Sequence, residues 1–459
     1  MNIRRLLVAL LVGGAAAPAV GLAAERRPSV LVLLADDQRA DTIAALGNPL
    51  VRTPALDGLV ARGTAFDRCY CMGSGQGAVC IPSRAMLLSG RSLFRVQERL
   101  GGCDTWPEAF ARAGSRTFLT GKWHNGAAAA SRCFAAGSDV FLGGMSDQWR
   151  VPVSSFTAHA PLARPRAGAL HASELFGNAA LDFIGGLTDE PFFAWVAFTA
   201  PHDPRQAPAA FRRRYDGAAP PPPQNFLPRH PFDNGDLKVR DEKLLGWPRT
   251  AAEVSGELAD YYACIEALDA QVGRVLAALE AKGRLADTIV VFTSDHGLAL
   301  GSHGLLGKQN LYEHSMRVPA VMAGPGVPAG RRVDALCYLF DLMTTIGELA
   351  GVNSPQGSEG RSLVPVLDGR ADAVRDELLL AYRDVQRAVV TLGWKLIEYP
   401  RVARRQLFDL GADPDESHDL SADTGQARRL EQLQSSLAEA ARAAGDPLAT
   451  PDDGAGEGR

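Results

Sequence analysis

Residues 29–37 have the sequence SVLVLLADD, an unbroken apolar run that ends in two aspartates. Two later stretches have the same form: PFFAWVAFTAPHDP at 191–204 and DTIVVFTSDHG at 287–297 each close on a histidine and an aspartate. Runs that are apolar at every position predict strands buried on both faces, as in a parallel sheet covered by helices. Open α/β sheets place their sites at the carboxyl ends of such strands, so these polar clusters predict one shared site.

Helical stretches lie between the predicted strands. TPALDGLVARG at 53–63 has Thr53 as its expected cap, and LADYYACIEALDAQVGRVLAALEAKG at 258–283 ends at Gly283. This alternation predicts an α/β fold, with a large mixed, mostly parallel sheet flanked by helices. The segment from Tyr215 to Asp241 is too rich in proline and glycine for a regular element. It is either a surface excursion or the rim of a substrate cleft.

The pattern changes near residue 370 to short strand-like pieces, QRAVVTL, WKLIEY and RQLFDL, followed by a polar turn and a helix at 426–444. This predicts a smaller C-terminal α+β subdomain at 371–446, in which a small antiparallel sheet is closed by a helix. A main domain at 25–370 precedes it. Residues 447–459 are expected to form a mobile tail.

The first 24 residues carry an arginine pair, an apolar stretch and small residues around Ala23 and Ala24. This pattern predicts a signal peptide at 1–24 and an exported protein, periplasmic or secreted. Glycines and a proline interrupt the apolar stretch, so no membrane span is expected in the mature form. The formal net charge of -4 lacks the basic field that captures nucleic acid, and no nucleic-acid partner is expected.

Three carboxylates follow two of the predicted strands: Asp36, Asp37 and Asp295. At one sheet edge their mutual repulsion requires a cation to offset it. Oxygen ligands of this kind favour a hard divalent ion such as Ca²⁺ or Mg²⁺, and His296 offers one further contact. One aspartate after a strand is commonly a turn or cap residue, but two such strand ends together favour a metal site.

Basic side chains lie in glycine- and proline-rich stretches near the same strand ends. Four of them follow apolar runs or the Asp-His cluster: Lys122, His124, His202 and Lys308. Together they predict a shared anion-binding pocket. His303 and His314 are interpreted instead as ordinary loop histidines exposed to solvent.

Seven cysteines leave at least one without a partner in the chain if the compartment is oxidising, and Cys80 is the candidate. As a thiolate nucleophile Cys80 requires a lowered pKa, which Arg84 and a helix start help to supply. As a zinc ligand with Cys69 and Cys71 it lacks the paired spacing of such sites. The pairing of the other cysteines stays open.

The most specific signal is Cys-x-Pro-Ser-Arg, which is met by Cys80, Pro82, Ser83 and Arg84. With this motif and its strand-end clusters, the chain from about 28 to 421 resembles the formylglycine-dependent sulfatases of the alkaline phosphatase superfamily. The pair Asp295-His296 is similar to the branch of iduronate-2-sulfatase-like and choline-sulfatase-like enzymes, because many arylsulfatases have Asp-Asn there. The resemblance implies an alkaline phosphatase-like catalytic domain at 25–370.

The resemblance also implies the chemistry. Cys80 would be oxidised to formylglycine by a formylglycine-generating maturation enzyme, and the hydrated aldehyde would attack the sulfur of a sulfate monoester beside a divalent metal. That metal would be Ca²⁺, with Mg²⁺ or Mn²⁺ as the other options. The implied metal ligands are Asp36, Asp37, Asp295, His296 and the modified Cys80.

The remaining roles are implied by position in the family motifs. Arg84 would hold the hydrated aldehyde and offset its charge. Lys122 and His124 would stabilise it and take the proton for sulfate release, although GKWHNG has one residue fewer between Lys and His than some relatives. His202 and Lys308 would grip the sulfate and protonate the leaving oxygen, and the choice of main acid stays open.

The substrate is expected to be a sulfated carbohydrate. The loop residues offering polar contacts to it are Arg229, Asn234, Lys238 and Arg240. Choline sulfate would instead require an aromatic cage, for which the candidates are Trp123, Trp149, Trp247 and Tyr262. A phosphonate or phosphodiester hydrolase of the same superfamily is a further alternative. A secreted glycan-binding protein without turnover is the remote one.

Overall fold

The computed structural model describes residues 26–158 and 160–449. Within these ranges the strands are β1 (Ser29–Asp36), β2 (Thr64–Phe66), β3 (Cys69–Tyr70), β4 (Gly73–Ser74), β5 (Arg116–Lys122), β6 (Ala136–Phe141), β7 (Pro152–Thr157), β8 (Arg166–Ala167), β9 (Phe192–Pro201), β10 (Thr288–Ser294), β11 (Arg317–Val318), β12 (Ala320–Ala323), β13 (Arg331–Val333), β14 (Cys337–Tyr338), β15 (Leu378–Tyr382), β16 (Gln386–Val390), β17 (Trp394–Tyr399) and β18 (Arg404–Asp409). The α-helices are α1 (Pro54–Arg62), α2 (Cys80–Ser89), α3 (Trp106–Arg112), α4 (Ala127–Cys133), α5 (Ala172–Gly185), α6 (Ala209–Arg212), α7 (Ala251–Ala281), α8 (Glu313–Met316), α9 (Leu339–Leu349), α10 (Val364–Leu367) and α11 (Ala427–Ala444).

The largest sheet has the order β13-β2-β12-β10-β1-β9-β5-β6-β7-β8. Its centre is parallel, because β1 pairs in parallel with both β9 and β10, and β5 pairs in parallel with β9 and β6. Antiparallel pairs flank this centre on both sides, at β10 with β12 and at β6 with β7. The large mixed, mostly parallel sheet predicted from the sequence is confirmed.

Each face of the central sheet packs against a separate apolar core. In β1, Leu31 and Leu33 belong to the core under α1, α5 and α7, whereas Val30 and Val32 belong to the core under α2, α3 and α9. This burial on both faces is why the strand is apolar at every position. Truncating such a side chain, for example Leu33 to alanine, would cost about 2–5 kcal/mol of unfolding free energy.

The smaller sheet has the order β18-β17-β16-β15-β4. The strands β15 to β18 are antiparallel and α11 packs against them, as the sequence predicts. The strand β4, which precedes Cys80 in the chain, pairs in parallel with β15 and so ties the N-terminal part to this sheet. The division between the main domain, which ends at 370, and the C-terminal subdomain, which begins at 371, stays a prediction.

A buried ion-pair network also joins the smaller sheet to the rest of the protein. The Lys395 ammonium of β17 donates to Glu313 Oε1 and Glu416 Oε1, each at 2.8 Å. Tyr70 donates to the second oxygen of Glu313 at 2.9 Å. One ammonium therefore serves two buried carboxyl groups, and burial raises the pKa of Glu416 to about 7 despite the nearby Lys395 charge.

One predicted helix boundary differs from the structure. The long helix α7 begins at Ala251 rather than Leu258, because Thr250 and Glu253 form a capping box that the apolar pattern does not reveal. The segment between Tyr215 and Asp241 contains no described helix or strand beyond an isolated bridge at Phe226, as expected.

Both chain ends of the sequence lie partly outside the described residues. The predicted signal peptide at 1–24 falls wholly outside them, as does the predicted tail from residue 450 onward. The first residues of that tail are tied to Asp446, whose side chain accepts from the Leu448 amide at 2.9 Å. Among the described residues, no helix is both long enough and apolar enough to cross a membrane.

Candidate active site

The carboxyl ends of three neighbouring parallel strands bring the predicted polar clusters together. Asp36 ends β1 and Asp37 follows it, Asp295 and His296 follow β10, and His202 follows β9. The backbone of Asp37 is left-handed, with φ of 68°, and its carbonyl accepts from the Tyr261 hydroxyl at 2.6 Å. The amide of Asp37 donates to Asp295 Oδ1 at 3.1 Å, so the two strand ends are held to each other.

Cys80 begins α2 and is buried beside these strand ends. Its Sγ lies 3.3 Å from His296 Nε2 and 3.5 Å from Lys308 Nζ. Burial alone raises the pKa of this thiol, but the charges of Lys122 and Lys308 outweigh burial and hold the pKa well below its ordinary value. The surroundings of Cys80 therefore stabilise negative charge at this position.

Arg84, one helical turn after Cys80, points back toward the same carboxylates. Its Nε donates to Asp295 Oδ2 at 2.9 Å, and its Nη1 donates to the Lys122 carbonyl at 2.7 Å. Its Nη2 is buried without a hydrogen-bond partner among the described residues, 3.5 Å from Asp36 Oδ1. A buried guanidinium group with a vacant donor is suited to an additional anionic or oxygen ligand.

Two buried lysines neutralise the β1 carboxylates. Lys122 Nζ donates to Asp36 Oδ2 at 2.5 Å, and Lys308 Nζ donates to both oxygens of Asp37 at 2.9 and 3.0 Å. Burial lowers the pKa of Lys308, but the Asp37 carboxylate more than compensates and holds that pKa well above its ordinary value. Burial raises the pKa of Asp36 to about 8, even though the Lys122 charge opposes this.

The donor set beside Cys80 fits a divalent cation. One ligand atom from each of Asp36, Asp37, Cys80 and His296 lies within 4.8 Å of the other three. Asp36 Oδ1 is buried with no hydrogen-bond partner among the described residues, which leaves it available to a metal. Asp295 lies at the edge of this set, with Oδ1 at 3.8 Å from His296 Nε2.

The two predicted catalytic histidines, His202 and His124, differ in the hydrogen bonds that hold their rings. His202 Nδ1 lies 2.6 Å from the Asp203 carbonyl, an acceptor, so Nδ1 carries the hydrogen and Nε2 faces Asp37 at 3.8 Å. Burial lowers the pKa of His202, but the Asp37 carboxylate outweighs burial and raises that pKa above its ordinary value. His124 has a left-handed backbone, with φ of 68°, and a buried Nδ1 without a described partner. Burial lowers the pKa of His124.

A cavity of about 390 Å³ opens above Cys80. It is lined by Gly77, Ala78, Cys80, His124, Gly144, Met145, His202, Val239, Arg240, Asp241, Lys308 and Gln309. The end of the proline-rich loop thus forms part of the rim, as one of the two interpretations of that loop proposed. Of the loop residues suggested for glycan contacts, Arg240 lines the cavity, whereas Arg229, Asn234 and Lys238 are not among its lining residues.

Sequence reasoning missed several residues of the site. Tyr261 holds the Asp37 carbonyl from the middle of α7, and no sequence motif marks it. Gly144 lies against His124, where a Cβ atom would be 2.7 Å from the imidazole ring, and Met145 follows it at the rim. Gln309 donates to Asp241 at 2.9 Å, and its only sequence signal is its place next to Lys308.

His303 and His314 lie outside the cavity lining, as the sequence interpretation held, but they are not exposed. Their rings contact each other, with 3.2 Å between His303 Nδ1 and His314 Nε2. Tyr312 stacks on His303 at 3.9 Å between ring centroids, and burial lowers the pKa of both histidines. The expectation of solvated loop groups was wrong because the loop is covered by the C-terminal segment around Glu416.

The aromatic residues proposed for a choline cage do not meet in this cavity. Trp123 is in the core against Phe134, and Tyr262 packs on Tyr215. The rings of Trp149 and Trp247 lie against His171 and Arg249. None of these four aromatic residues is among the described residues that line the cavity. This argues against recognition of a quaternary ammonium group here.

Every cysteine of the chain lies among the described residues, and all are free and buried thiols there. Cys69 and Cys337 are direct neighbours on the paired strands β3 and β14, and Cys71 follows in the next stretch. The cysteines form no disulfide in this structure, and Cys80 is the one next to the acidic cluster.

The family model for sulfatases matches residues 28–352. The chain belongs to the sulfatase family. A second model, the C-terminal part of N-sulphoglucosamine sulphohydrolase, matches residues 301–443 of this sulfatase. Membership makes the protein a sulfatase enzyme, a sulfuric ester hydrolase, and the family implies formylglycine and a divalent metal as its cofactors.

Two curated relatives illustrate the similarity. The N-acetylglucosamine-6-O-sulfatase of Bacteroides thetaiotaomicron is 26% identical in an alignment 491 positions long. The alignment covers 90% of this sulfatase and 86% of the relative. The N-acetylglucosamine-6-sulfatase of Homo sapiens is 28% identical, covering 83% and 72% of the two chains.

Two solved structures share the fold. One, in complex with its substrate D-glucosamine-2-N,6-O-disulfate, superposes with a TM-score of 0.78 at 23% identity, covering 92% of this sulfatase and 99% of that chain. The phosphonate monoester hydrolase of Agrobacterium radiobacter superposes with a TM-score of 0.71 at 21% identity, covering 91% and 96%. The alkaline phosphatase-like fold inferred from the sequence is confirmed.

Proposed function

We propose that this sulfatase removes the sulfate group from an oxygen of a sulfated amino sugar of the glycosaminoglycan type. The observation that carries the proposal is the buried cluster around Cys80. Below one cavity it combines carboxylates that suit a metal ion with cationic side chains that suit an anion. The relatives named for N-acetylglucosamine 6-sulfate support the choice of sugar. The scattered aromatic residues argue against choline sulfate.

Ca²⁺ is the proposed metal, with Mg²⁺ and Mn²⁺ as weaker options, because most of the donors are carboxylate oxygens. The proposed ligands are Asp36, Asp37, Asp295, His296 and the modified residue 80. When bound, the metal supplies positive charge that offsets these carboxylates and polarises an oxygen on residue 80. Asp36 Oδ1 has no described partner and is free to bind the metal, whereas both oxygens of Asp37 accept from Lys308 in this structure.

Formylglycine is the proposed form of residue 80 in the active enzyme, made by a formylglycine-generating maturation enzyme. In this structure Cys80 Sγ stands where an oxygen of that group would lie, 3.3 Å from His296. The hydrated aldehyde supplies the nucleophilic oxygen, and its second hydroxyl allows sulfate to leave. Arg84 Nη2, which has no described partner, would donate to an oxygen there.

The lysines and histidines are proposed to handle charge and protons. Lys122, held on Asp36, would stabilise negative charge on residue 80, and His124 would take the proton whose loss releases sulfate. Lys308 lines the cavity and is fully protonated at neutral pH, since Asp37 raises its pKa. His202 also lines the cavity. Both would bind the sulfate oxygens, and one of the two would protonate the leaving oxygen.

Export through a signal peptide at 1–24 is part of the proposal and rests on the sequence pattern alone. It would place the enzyme in the periplasm or outside the cell, where sulfated glycans are met as substrates. The maturation enzyme would then act on the chain before it folds, since Cys80 is buried in the folded protein.

The test uses protein coexpressed with a formylglycine-generating enzyme and compares three substrates on one preparation: N-acetylglucosamine 6-sulfate, 4-nitrophenyl sulfate and bis(4-nitrophenyl) phosphate. The proposal predicts turnover of both sulfates with the sugar sulfate preferred by kcat/KM. Faster turnover of the phosphodiester would favour the phosphonate and phosphodiester branch. Binding of the sugar sulfate without any turnover of the converted protein would favour the non-catalytic alternative.

A further inference from the structure

Three charged side chains form one hydrogen-bonded unit at the rim of the cavity, above the groups that face Cys80. Arg240 Nη2 donates to both oxygens of Asp203, at 2.6 and 2.7 Å, and Arg240 Nε donates to Asp241 Oδ1 at 2.9 Å. The Arg240 side chain is 44% exposed, whereas those of Asp203 and Asp241 are 11% and 7% exposed. These three residues form the rim triad.

The rim triad leaves donors and acceptors available to a ligand. Arg240 Nη2 is directed to both oxygens of Asp203 and Nε to Asp241, but Nη1 lies against the sulfur of Met145, a weak acceptor. Each oxygen of Asp203 has lone pairs beyond those used by Arg240. A hydroxyl group can donate to the carboxylate while its neighbour accepts from Nη1, which is a pattern that adjacent sugar hydroxyls match.

The rim triad is negative overall, whereas a sulfate group requires positive charge around it. One guanidinium group serves two carboxylates, so the three side chains carry a formal net charge of about -1. The pKa of Asp241 is held below its ordinary value because Lys308 and Gln309 outweigh its burial, so this carboxyl is ionised. Apart from Cys80, His124, His202 and Lys308 on the floor of the cavity, the other lining residues are uncharged: Gly77, Ala78, Gly144, Met145, Val239 and Gln309.

We propose that Asp203 and Arg240 form a subsite for adjacent hydroxyl groups on the ring of the sugar that carries the sulfate, and that this subsite selects sugars without a carboxylate. The proposal rests on the proposed function, because it assumes a sugar sulfate. A hexosamine meets the subsite with hydroxyl donors and acceptors. A uronate would bring a second negative group against two aspartates that share a single arginine.

The experiment measures kcat/KM for converted wild-type protein and three variants: Arg240→Ala, Arg240→Lys and the control Lys238→Ala. Lys238 lies on the same loop, is exposed and is not among the cavity-lining residues. The substrates are N-acetylglucosamine 6-sulfate, its 3-deoxy and 4-deoxy analogues, a 2-sulfated hexuronate and 4-nitrophenyl sulfate. Rates on the sugars are divided by the rate on 4-nitrophenyl sulfate, which cancels any general change in the site.

Arg240→Ala should lower this ratio for N-acetylglucosamine 6-sulfate about 10- to 100-fold, as expected for a lost hydrogen bond to a charged group. Arg240→Lys should lower it less, and Lys238→Ala should leave it unchanged. At least one deoxy analogue should show a similar loss with the wild type and no further loss with Arg240→Ala, because both changes remove the same hydrogen bond. The wild type should prefer the hexosamine to the hexuronate.

An unchanged ratio in Arg240→Ala, or deoxy analogues that react as fast as the parent sugar, would overturn the subsite. So would a wild-type enzyme that prefers the 2-sulfated hexuronate. In these cases turnover of 4-nitrophenyl sulfate still shows sulfatase activity. If the converted protein hydrolyses none of the sulfates, it is the proposed function that fails, and the subsite fails with it.

Discussion

Replacing Gly144 with alanine should disable His124 without removing it. A Cβ atom at residue 144 would lie 2.7 Å from both Cε1 and Nε2 of the His124 ring. The backbone of Gly144 is outside the left-handed region, so alanine is accepted there without backbone strain. Carbon atoms are in favourable contact at about 3.7 Å, so the imidazole ring must move by about 1 Å.

A displacement of that size is costly when the ring has to meet a reacting atom. We expect kcat on 4-nitrophenyl sulfate to fall by about 100-fold, since a misplacement of ~1 Å costs that much in an active site. The free energy of unfolding should fall by only about 1–3 kcal/mol, as for other overpacked positions. Steady-state kinetics and urea denaturation of the converted protein measure the two quantities.

The neighbouring residue provides a matched control. A Cβ atom at Gly143 would lie 2.8 Å from the ring of Phe141, not from His124. Gly143→Ala should therefore cost similar stability and little activity. In a His124→Ala background, Gly144→Ala should cause no further loss of kcat. The reasoning is refuted if Gly144→Ala lowers kcat about 100-fold in that background too, because the methyl group would then act on some other part of the site.

Three further predictions concern the nucleophile, the acid and the stability of the fold. Cys80→Ala should lower kcat/KM on 4-nitrophenyl sulfate by about 10⁴-fold or more, and measurable turnover above that level would contradict the role of residue 80. Lys308→Met should lower kcat about 10²- to 10⁴-fold on N-acetylglucosamine 6-sulfate but about tenfold less on 4-nitrophenyl sulfate, whose phenolate leaves without a proton; equal losses would exclude Lys308 as the acid. Glu416 has a raised pKa of about 7 in the folded state, so its contribution to stability is lost as the pH rises from about 4.5 to about 7. Glutamine stays neutral, so the free energy of unfolding of Glu416→Gln, relative to that of the wild type, should rise by ~2 kcal/mol from pH 5 to pH 8 in denaturation experiments. A difference between variant and wild type that does not change with pH would contradict the assignment.

The sheet could be predicted from the sequence because its central strands are apolar at every position. In β1, alternate residues such as Val32 and Leu33 enter different cores, and only a strand covered on both faces requires that pattern. The start of α7 was missed because residues 251–253 are exposed and Val254 is the one buried apolar residue before Leu258. The pairing of β4 with β15 was also missed, because a two-residue strand leaves no pattern in the sequence.

The floor of the candidate site could be predicted because its residues follow strand ends or belong to a specific motif. The rim could not, since its members come from separate loops and meet only in three dimensions. Asp203 and Arg240 were visible as polar residues, but their direct contact and the share of Asp241 in it depend on the path of a proline-rich loop. The burial of His303 and His314 was missed because it depends on contacts with the C-terminal segment.

The central claim is that residue 80, as formylglycine, is the nucleophile of this sulfatase. The most direct measurement is the mass of the tryptic peptide spanning 69–84, after alkylation, in preparations with graded coexpression of a formylglycine-generating enzyme. Turnover of 4-nitrophenyl sulfate is measured on each preparation. The account predicts that the aldehyde appears at Cys80 while Cys69 and Cys71 are alkylated, and that activity rises in proportion to the converted fraction. Full activity in protein whose Cys80 remains a thiol would contradict it.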